Sequence, residues 1–235
     1  VQEALERAIR QVTGEEPLLA AAGRTDAGVH ALGQVVTFRT AARLPLERLP
    51  WALNAHLPPA IVVQSAAEVP PDFHARFSAH AKTYRYAIQN SRFPVPLLGR
   101  YAYLWREPLD VAAMREAARH LVGRHDFAGF RATGSSARTS VRSVLDCRVE
   151  AEPLEGTADG RLVTIWITAD GFLYNMVRIV AGTLLEVGTG RRPPDDLPAI
   201  LASGRRDEAG KTLPPHGLCL VQVDYGDWSG DGPTA

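Results

Sequence analysis

Ala22-Gly23-Arg24-Thr25-Asp26-Ala27-Gly28-Val29-His30-Ala31 sets one carboxylate between two glycines, with an arginine two residues upstream of it. The apolar runs on either side, Leu18 to Ala22 and Gln34 to Phe38, read as short strands, which makes the decapeptide the loop that joins them. Gly23 and Gly28 open backbone angles closed to other residues and let a substrate come close to the main chain. A reactive aspartate is presented in this way. An aspartate in a glycine-rich connection also serves plain turn chemistry, its side chain bonding the backbone two residues on. The rest of the chain has to decide between the two.

Outward from this loop, the 235 residues suffice for one large or two small domains with a substantial core. A content of 46% apolar and 22% charged residues is that of an ordinary globular protein. No basic segment followed by an apolar one opens the chain, so no export signal is expected. The longest apolar stretch, Phe172 to Val187, is interrupted by Asn175, Arg178 and Glu186, which favours a buried helix over a membrane span. Cys147 and Cys219 stand far apart without a Cys-x-x-Cys and read as reduced core residues of a cytoplasmic protein.

The formal net charge of zero argues at first against a nucleic-acid partner, but the charges are segregated. Phe73 to Arg106 contains Arg76, Lys82, Arg85, Arg92, Arg100 and Arg106 and no acid, and Arg124, Arg131, Arg138 and Arg142 follow with Asp126 alone between them. Acids gather in the first segment and late in the chain, so a basic cleft can coexist with an acidic outer surface.

Periodicity predicts a helix over Val1 to Val12 closed by Gly14, a helix over Leu46 to Leu57 despite Pro50, and a strand at Ile61 to Gln64. Lys82 to Gln89 alternates, with Tyr84, Tyr86 and Ile88 on one face, and Leu97 to Trp105 is expected to be extended. Asp110 caps a helix that runs to Val122 with Gly123 as its stop. Gly134, Ser135, Ser136, Thr139 and Ser140 make Arg131 to Arg142 a mobile surface loop. Val144 to Val149 and Leu162 to Thr168 read as strands, Gly171 turns the chain into the apolar helix, Asp195 or Asp196 opens another through Leu201, and Leu218 to Val223 is a last strand. About seven strands and four helices make an α+β protein of two lobes. The expected division is an N-terminal lobe 1–70 carrying the aspartate loop, a C-terminal lobe 71–226, and a flexible tail 227–235.

Arg178 sits in that apolar helix with Asn175 and Gly182 on its face. An unpaired buried charge costs several kcal/mol, so the guanidinium needs a structural ion pair, an outlet to solvent, or the loop carboxylate. His30, four residues after Asp26, is better suited to orienting the loop by a hydrogen bond than to a metal site, since two ligands do not make one. The sequence lacks the zinc-deaminase pattern His-x-Glu with Pro-Cys-x-x-Cys, and Gly-x-x-x-x-Gly-Lys-Ser/Thr and Gly-x-Gly-x-x-Gly besides.

Gly-Arg-Thr-Asp-Ala-Gly-Val-His resembles the catalytic signature of tRNA pseudouridine synthases of the TruA type, and further matches follow in order. They are Asn54-Ala55-His56-Leu57-Pro58; Asp72-Phe73-His74-Ala75-Arg76-Phe77-Ser78-Ala79 with Tyr84-Arg85-Tyr86; Phe127 with Arg131, Arg138-Thr139 and Arg142; Met176-Val177-Arg178 through Gly188; and Lys211-Thr212 to Gly217-Leu218. The resemblance implies the pseudouridine synthase fold, a mixed and mostly antiparallel sheet flanked by helices with a cleft between two lobes. It implies isomerisation of uridine to pseudouridine at positions 38, 39 and 40 of the tRNA anticodon stem-loop, by a homodimer and without metal or organic cofactor. Asp26 would then be the catalytic carboxylate, attacking C6 of the uracil or C1′ of the ribose or taking a ribose proton, alternatives the residues leave open. Arg178 would pair with it and Gly182 would allow close helix packing. Tyr84 would lie against the target uracil, stacking on it or accepting the C5 proton. Arg24, two residues from Asp26, is placed to fill the vacated stack or hold the flipped nucleotide's phosphate, or else to clamp its own loop. Substrate binding is carried by the same resemblance onto Tyr84, Arg24, His74, Arg76, Arg131, Arg138, Arg142 and Asn175.

Three departures stand out. Relatives usually begin earlier, with a strand and Tyr-Asp-Gly and Trp-Gln segments, so a first strand is expected to be missing here. Pro214-Pro215-His216 and Cys219 replace commoner residues of the closing segment, and Asn175 stands where many relatives carry His. A catalytically inactive RNA-binding or tRNA-folding factor of the same fold, and a hydrolase using Asp26 and His30, are the rival readings.

Overall fold

The computed structural model describes residues 1–134 and 137–226. In chain order the elements are α1 (Gln2–Thr13), β1 (Ala20–Ala21), β2 (His30–Ala31), β3 (Val36–Thr37), α2 (Leu49–Asn54), β4 (Ala81–Asn90) and β5 (Tyr103–Trp105). There follow α3 (Val111–Arg119), β6 (Gly123–Asp126), β7 (Val141–Pro153), β8 (Arg161–Ala169), α4 (Met176–Gly188), α5 (Asp196–Ser203) and β9 (Leu218–Asp224). The α+β class expected from the sequence is therefore observed, with β2 and β6 added to the expected strands.

The described chain divides into two compact units, one made of 1–24, 34–80 and 224–226 and the other of 25–33 and 81–223. This differs from a division at 70/71, because the aspartate loop groups with the second unit. The reason is a parallel pairing of β2 with β9, His30 opposite Cys219 and Ala31 opposite Leu220, that ties the loop to a strand nearly 190 positions later. The expected tail 227–235 lies outside the described residues, as do Ser135 and Ser136 of the 131–142 loop.

In the first unit, α1 turns Leu5, Ala8 and Ile9 onto Leu53 of α2, with Val12, Leu19, Val36, Phe38, Leu57 and Val63 around them. Gly14 ends α1 in the left-handed conformation and donates its N–H to the Arg10 carbonyl. Ile61 to Gln64 does not form the expected strand. The Asn54 side chain donates from Nδ2 to the Val63 carbonyl at 2.9 Å and accepts the Val63 N–H on Oδ1 at 2.8 Å. One amide thus satisfies both backbone groups that a neighbouring strand would otherwise take.

The second unit is a seven-stranded sheet in the order β2-β9-β4-β8-β7-β6, with β5 parallel to the end of β4. Alternation places Tyr84, Tyr86 and Ile88 of β4 and Val163, Ile165 and Ile167 of β8 in one core with α3 and α4. In β7 a bulge between Val144 and Asp146 lets Val144 and Cys147 both face that core, although their spacing is odd, and leaves Leu145 exposed. Of the stretch expected to be extended, only Tyr103–Trp105 pairs, while Pro96–Leu98 forms a single tight turn. Asp110 caps α3 through its Oδ1 and the Ala113 N–H at 3.0 Å, as expected. The helix ends three residues before Val122, in a tightened last turn, and Gly123 at φ 116° opens β6 instead of stopping the helix.

Helix α4 is buried nearly all round. The segment 209–213 lies directly on it, with the Gly210 N–H donating to Thr183 Oγ1 at 2.9 Å and the Leu213 N–H to the Arg178 carbonyl at 3.2 Å. A Cβ on Gly182 would collide with the Lys211 carbonyl oxygen. Because the obstacle is backbone held at both ends, Gly182→Ala is expected to destabilise by about 3 kcal/mol, lowering Tm by roughly 6–12 °C in thermal denaturation. A Tm unchanged by the substitution would contradict this packing. No helix among the described residues is long and apolar enough to cross a membrane.

Candidate active site

The loop that carries Asp26 is shaped by two local devices. The Val29 N–H closes a turn onto the Asp26 carbonyl at 3.0 Å, and Gly28 occupies φ 84°, a left-handed conformation a side chain would strain. Gly23, also expected to need such freedom, is not among the positive-φ glycines. After the turn, β2 docks on β9, and His30 Nε2 meets the Arg100 carbonyl at 2.7 Å with its ring 4.9 Å from that of Tyr101. His30 thus fastens the loop.

Arg178 reaches this loop from the first turns of α4. Its Nε donates to the Leu213 carbonyl at 2.6 Å, and its Nη1 donates to Asn175 Oδ1 at 2.6 Å and to Asp26 Oδ2 at 3.4 Å. The two short bonds fix the guanidinium, and the longer one presents an N–H to a carboxylate that keeps some freedom. The Arg178 side chain is 15% exposed and that of Asp26 40%. A pair this open adds only about 0–1 kcal/mol to stability, so its main effect is to orient the carboxylate. Asn175 adopts φ 60°, uncommon for a residue other than glycine, and its side chain turns to Arg178 rather than capping α4. The sequence reading assigned Asn175 to substrate; here its carbonyl oxygen is occupied by the arginine.

Tyr84 lies 8% exposed on β4, its ring edge-on to Phe172 at a centroid separation of 4.9 Å. Burial, with the Asp26 charge and then Cys219 adding to it, pushes its phenol up to about 12. Tyr86, two residues on, donates its hydroxyl to the Pro214 carbonyl at 2.8 Å and is a core residue. A phenol pushed up to about 12 is neutral near pH 7 and a weak proton acceptor there, which favours a packing role for the Tyr84 ring. Accordingly, the wild-type pH–rate profile is expected to show no ionisation of Tyr84 between about pH 6 and 10, and Tyr84→Phe should leave its shape unchanged. The folded phenol holds its proton more tightly than an unfolded one near 10, so its stabilising contribution is complete below pH 10 and lost as pH rises towards 12. Urea midpoints measured across that window should fall less steeply for Tyr84→Phe than for the wild type.

Asp26, Tyr84, Asn175 and Arg178 all belong to the second unit, as do Arg131, Arg138 and Arg142. Arg138 is exposed. Arg131 lines an open depression with Ala128, Gly204 and Arg206. Arg142 Nη1 donates to the Thr139 and Val141 carbonyls at 3.0 and 2.6 Å, clamping its own segment. Arg24, His74 and Arg76 belong to the first unit. His74 Nδ1 accepts the Arg76 N–H at 3.0 Å, so half of that imidazole is already used within its turn. The sequence reading missed Phe172 and the Leu213 carbonyl. The apolar run before α4 pointed towards the first, whereas a main-chain oxygen leaves no trace in side-chain chemistry.

A family model described as tRNA pseudouridine synthase matches residues 1–78 and 117–226, so the fold is that of the pseudouridine synthases. Among similar proteins, tRNA pseudouridine synthase A of Acetivibrio thermocellus is 48% identical over 225 residues, covering 96% of this chain and 89% of its own. That of Moorella thermoacetica is 49% identical with the same coverage, and that of Shouchella clausii is 49% identical over 227 residues, 84% of its length. The chain belongs to the tRNA pseudouridine synthase family.

Proposed function

We propose that this chain isomerises uridine to pseudouridine at positions 38, 39 and 40 in the anticodon stem-loop of tRNA. The observation that carries the reading is the contact of Asp26 Oδ2 with Arg178 Nη1 at 3.4 Å, on a loop fastened by β2 and His30. Family membership supports the reaction; the geometry supports Asp26 as its carboxylate.

The isomerisation breaks the bond from C1′ to N1, turns the ring, joins C1′ to C5, and exchanges the C5 proton for one on N1. Asp26 begins it by attack on C6 or C1′ or by removing a ribose proton. Arg178 holds the carboxylate in line, and Tyr84 packs against the detached uracil. A uridine in a stem has to leave the stack first, and Arg24, two residues before Asp26 in the chain, assists the flipped nucleotide. Three neighbouring uridines can share one pocket when recognition rests on RNA shape and backbone, with His74, Arg76, Arg131, Arg138 and Arg142 as the contacts. The protein works as a cytoplasmic homodimer and needs no cofactor.

Tritium release from tRNA labelled at uridine C5 tests this directly, because neither an RNA-binding factor nor a hydrolase displaces that hydrogen. Release matched by pseudouridine at the three positions is expected; its absence from correctly folded protein would refute the enzymatic reading. Sedimentation equilibrium measures the dimer.

A further inference from the structure

Phe77 is 74% exposed in a turn closed by hydrogen bonds. The His74 N–H donates to Ser78 Oγ at 3.0 Å, the Ser78 N–H to the His74 carbonyl at 2.9 Å, and the Arg76 N–H to His74 Nδ1 at 3.0 Å. Between them Ala75 is wholly buried, its N–H on Thr37 Oγ1 at 3.4 Å and its carbonyl taking the Tyr225 hydroxyl at 2.7 Å. A large apolar ring is thus presented to solvent on a hydrogen-bonded turn anchored by a buried residue. Its neighbours make it a particular kind of surface. The His74 ring backs it at 4.4 Å, and the Arg76 guanidinium carbon lies 5.5 Å from its centroid. Arg76 forms no ion pair among the described residues.

We infer that Phe77 and Arg76 form a stacking platform for an unpaired base of the RNA substrate, the ring and guanidinium plane meeting the base and the positive charge meeting its phosphate. The inference rests on the tRNA reading above. The chemistry is selective for a single-stranded nucleotide, because bases in a stem already stack on their neighbours. An acidic peptide would use the charge but not the ring. An apolar partner would use the ring but meet Arg76, and within the same unit the stretch from Phe73 to His80 carries Arg76 and no acid, which favours the polyanion.

The test is steady-state tritium release from tRNA by the full chain, with Phe77→Ala, Phe77→Leu and Phe77→Trp. Removal of the ring is expected to raise KM about tenfold with kcat within about twofold, the lower part of the range for one stacked base. Leucine, apolar but without a π face, should not rescue; tryptophan should. The Phe77→Trp protein should also show fluorescence quenching on addition of tRNA and none with a blunt RNA duplex. A KM within twofold of wild type for both Ala and Leu, rescue by Leu, or a changed oligomeric state in Phe77→Ala would overturn the platform. If the wild type releases no tritium, the isomerase reading fails, and the quenching alone decides whether the base stacks.

Discussion

Asp26→Asn is expected to reduce kcat by at least about 10⁴-fold, the scale on which loss of a reacting carboxylate or its partner acts in enzymes where the chemistry is concerted among few groups. The substitution is nearly isosteric, and its amide oxygen can still accept from Arg178 Nη1, now 3.4 Å from Oδ2. What disappears is the negative charge, and with it both attack on uracil or ribose and removal of a ribose proton. The fold should hardly notice, because a pair with one side chain 40% exposed contributes about 0–1 kcal/mol. Affinity for tRNA should be unchanged or slightly higher, since a carboxylate near the phosphate backbone is repelled by it. Residual turnover above a hundredth of wild type, in protein of normal Tm, would remove Asp26 from the chemistry.

Arg178→Ala should cost about 10²–10³ in kcat, the range for loss of one preorganised charged donor, with tRNA affinity changed no more than about threefold. Arg178 is tethered at 2.6 Å to both the Leu213 carbonyl and Asn175 Oδ1, and only its remaining reach serves Asp26. Alanine frees the carboxylate to sample the loop's other rotamers and leaves two acceptors without a donor, at about 1–3 kcal/mol for each one that is buried. Stability therefore falls as well, which alone would blur the reading. Arg178→Lys separates the effects: the charge persists, but one ammonium cannot span the positions that a planar fork reaches together. The lysine variant should bind tRNA as the wild type does and still turn over slowly. Equal losses in rate and affinity for both variants would mean that Arg178 only holds α4 to the 209–213 segment.

These two residues also show what could be read without coordinates. An arginine in a helix buried nearly all round must find a partner, and a carboxylate between glycines is offered to something; both statements follow from residue chemistry over a few positions. The alternating strands β4 and β8 and the cap of α3 were legible for the same reason. Ile61 to Gln64 is not legible in this way, because three apolar residues and a glutamine fit a strand as well as a segment clamped by one asparagine. The grouping of the aspartate loop with the second unit was invisible, since β2 is two residues long and periodicity needs more.

Residue type and spacing within single elements are enough for the α+β class and for an arginine in need of a partner; the expectation that Asp26, Arg178 and Tyr84 form one site rests on the resemblance to the pseudouridine synthases. Only the tertiary structure decided that Asp26 and Arg178, 152 positions apart, meet; that Asn175 serves the arginine; and that Phe77 faces solvent. The contacts responsible run through backbone groups, such as the Leu213 carbonyl and the pairing of β2 with β9, and every residue carries the same backbone, so no side-chain pattern announces them.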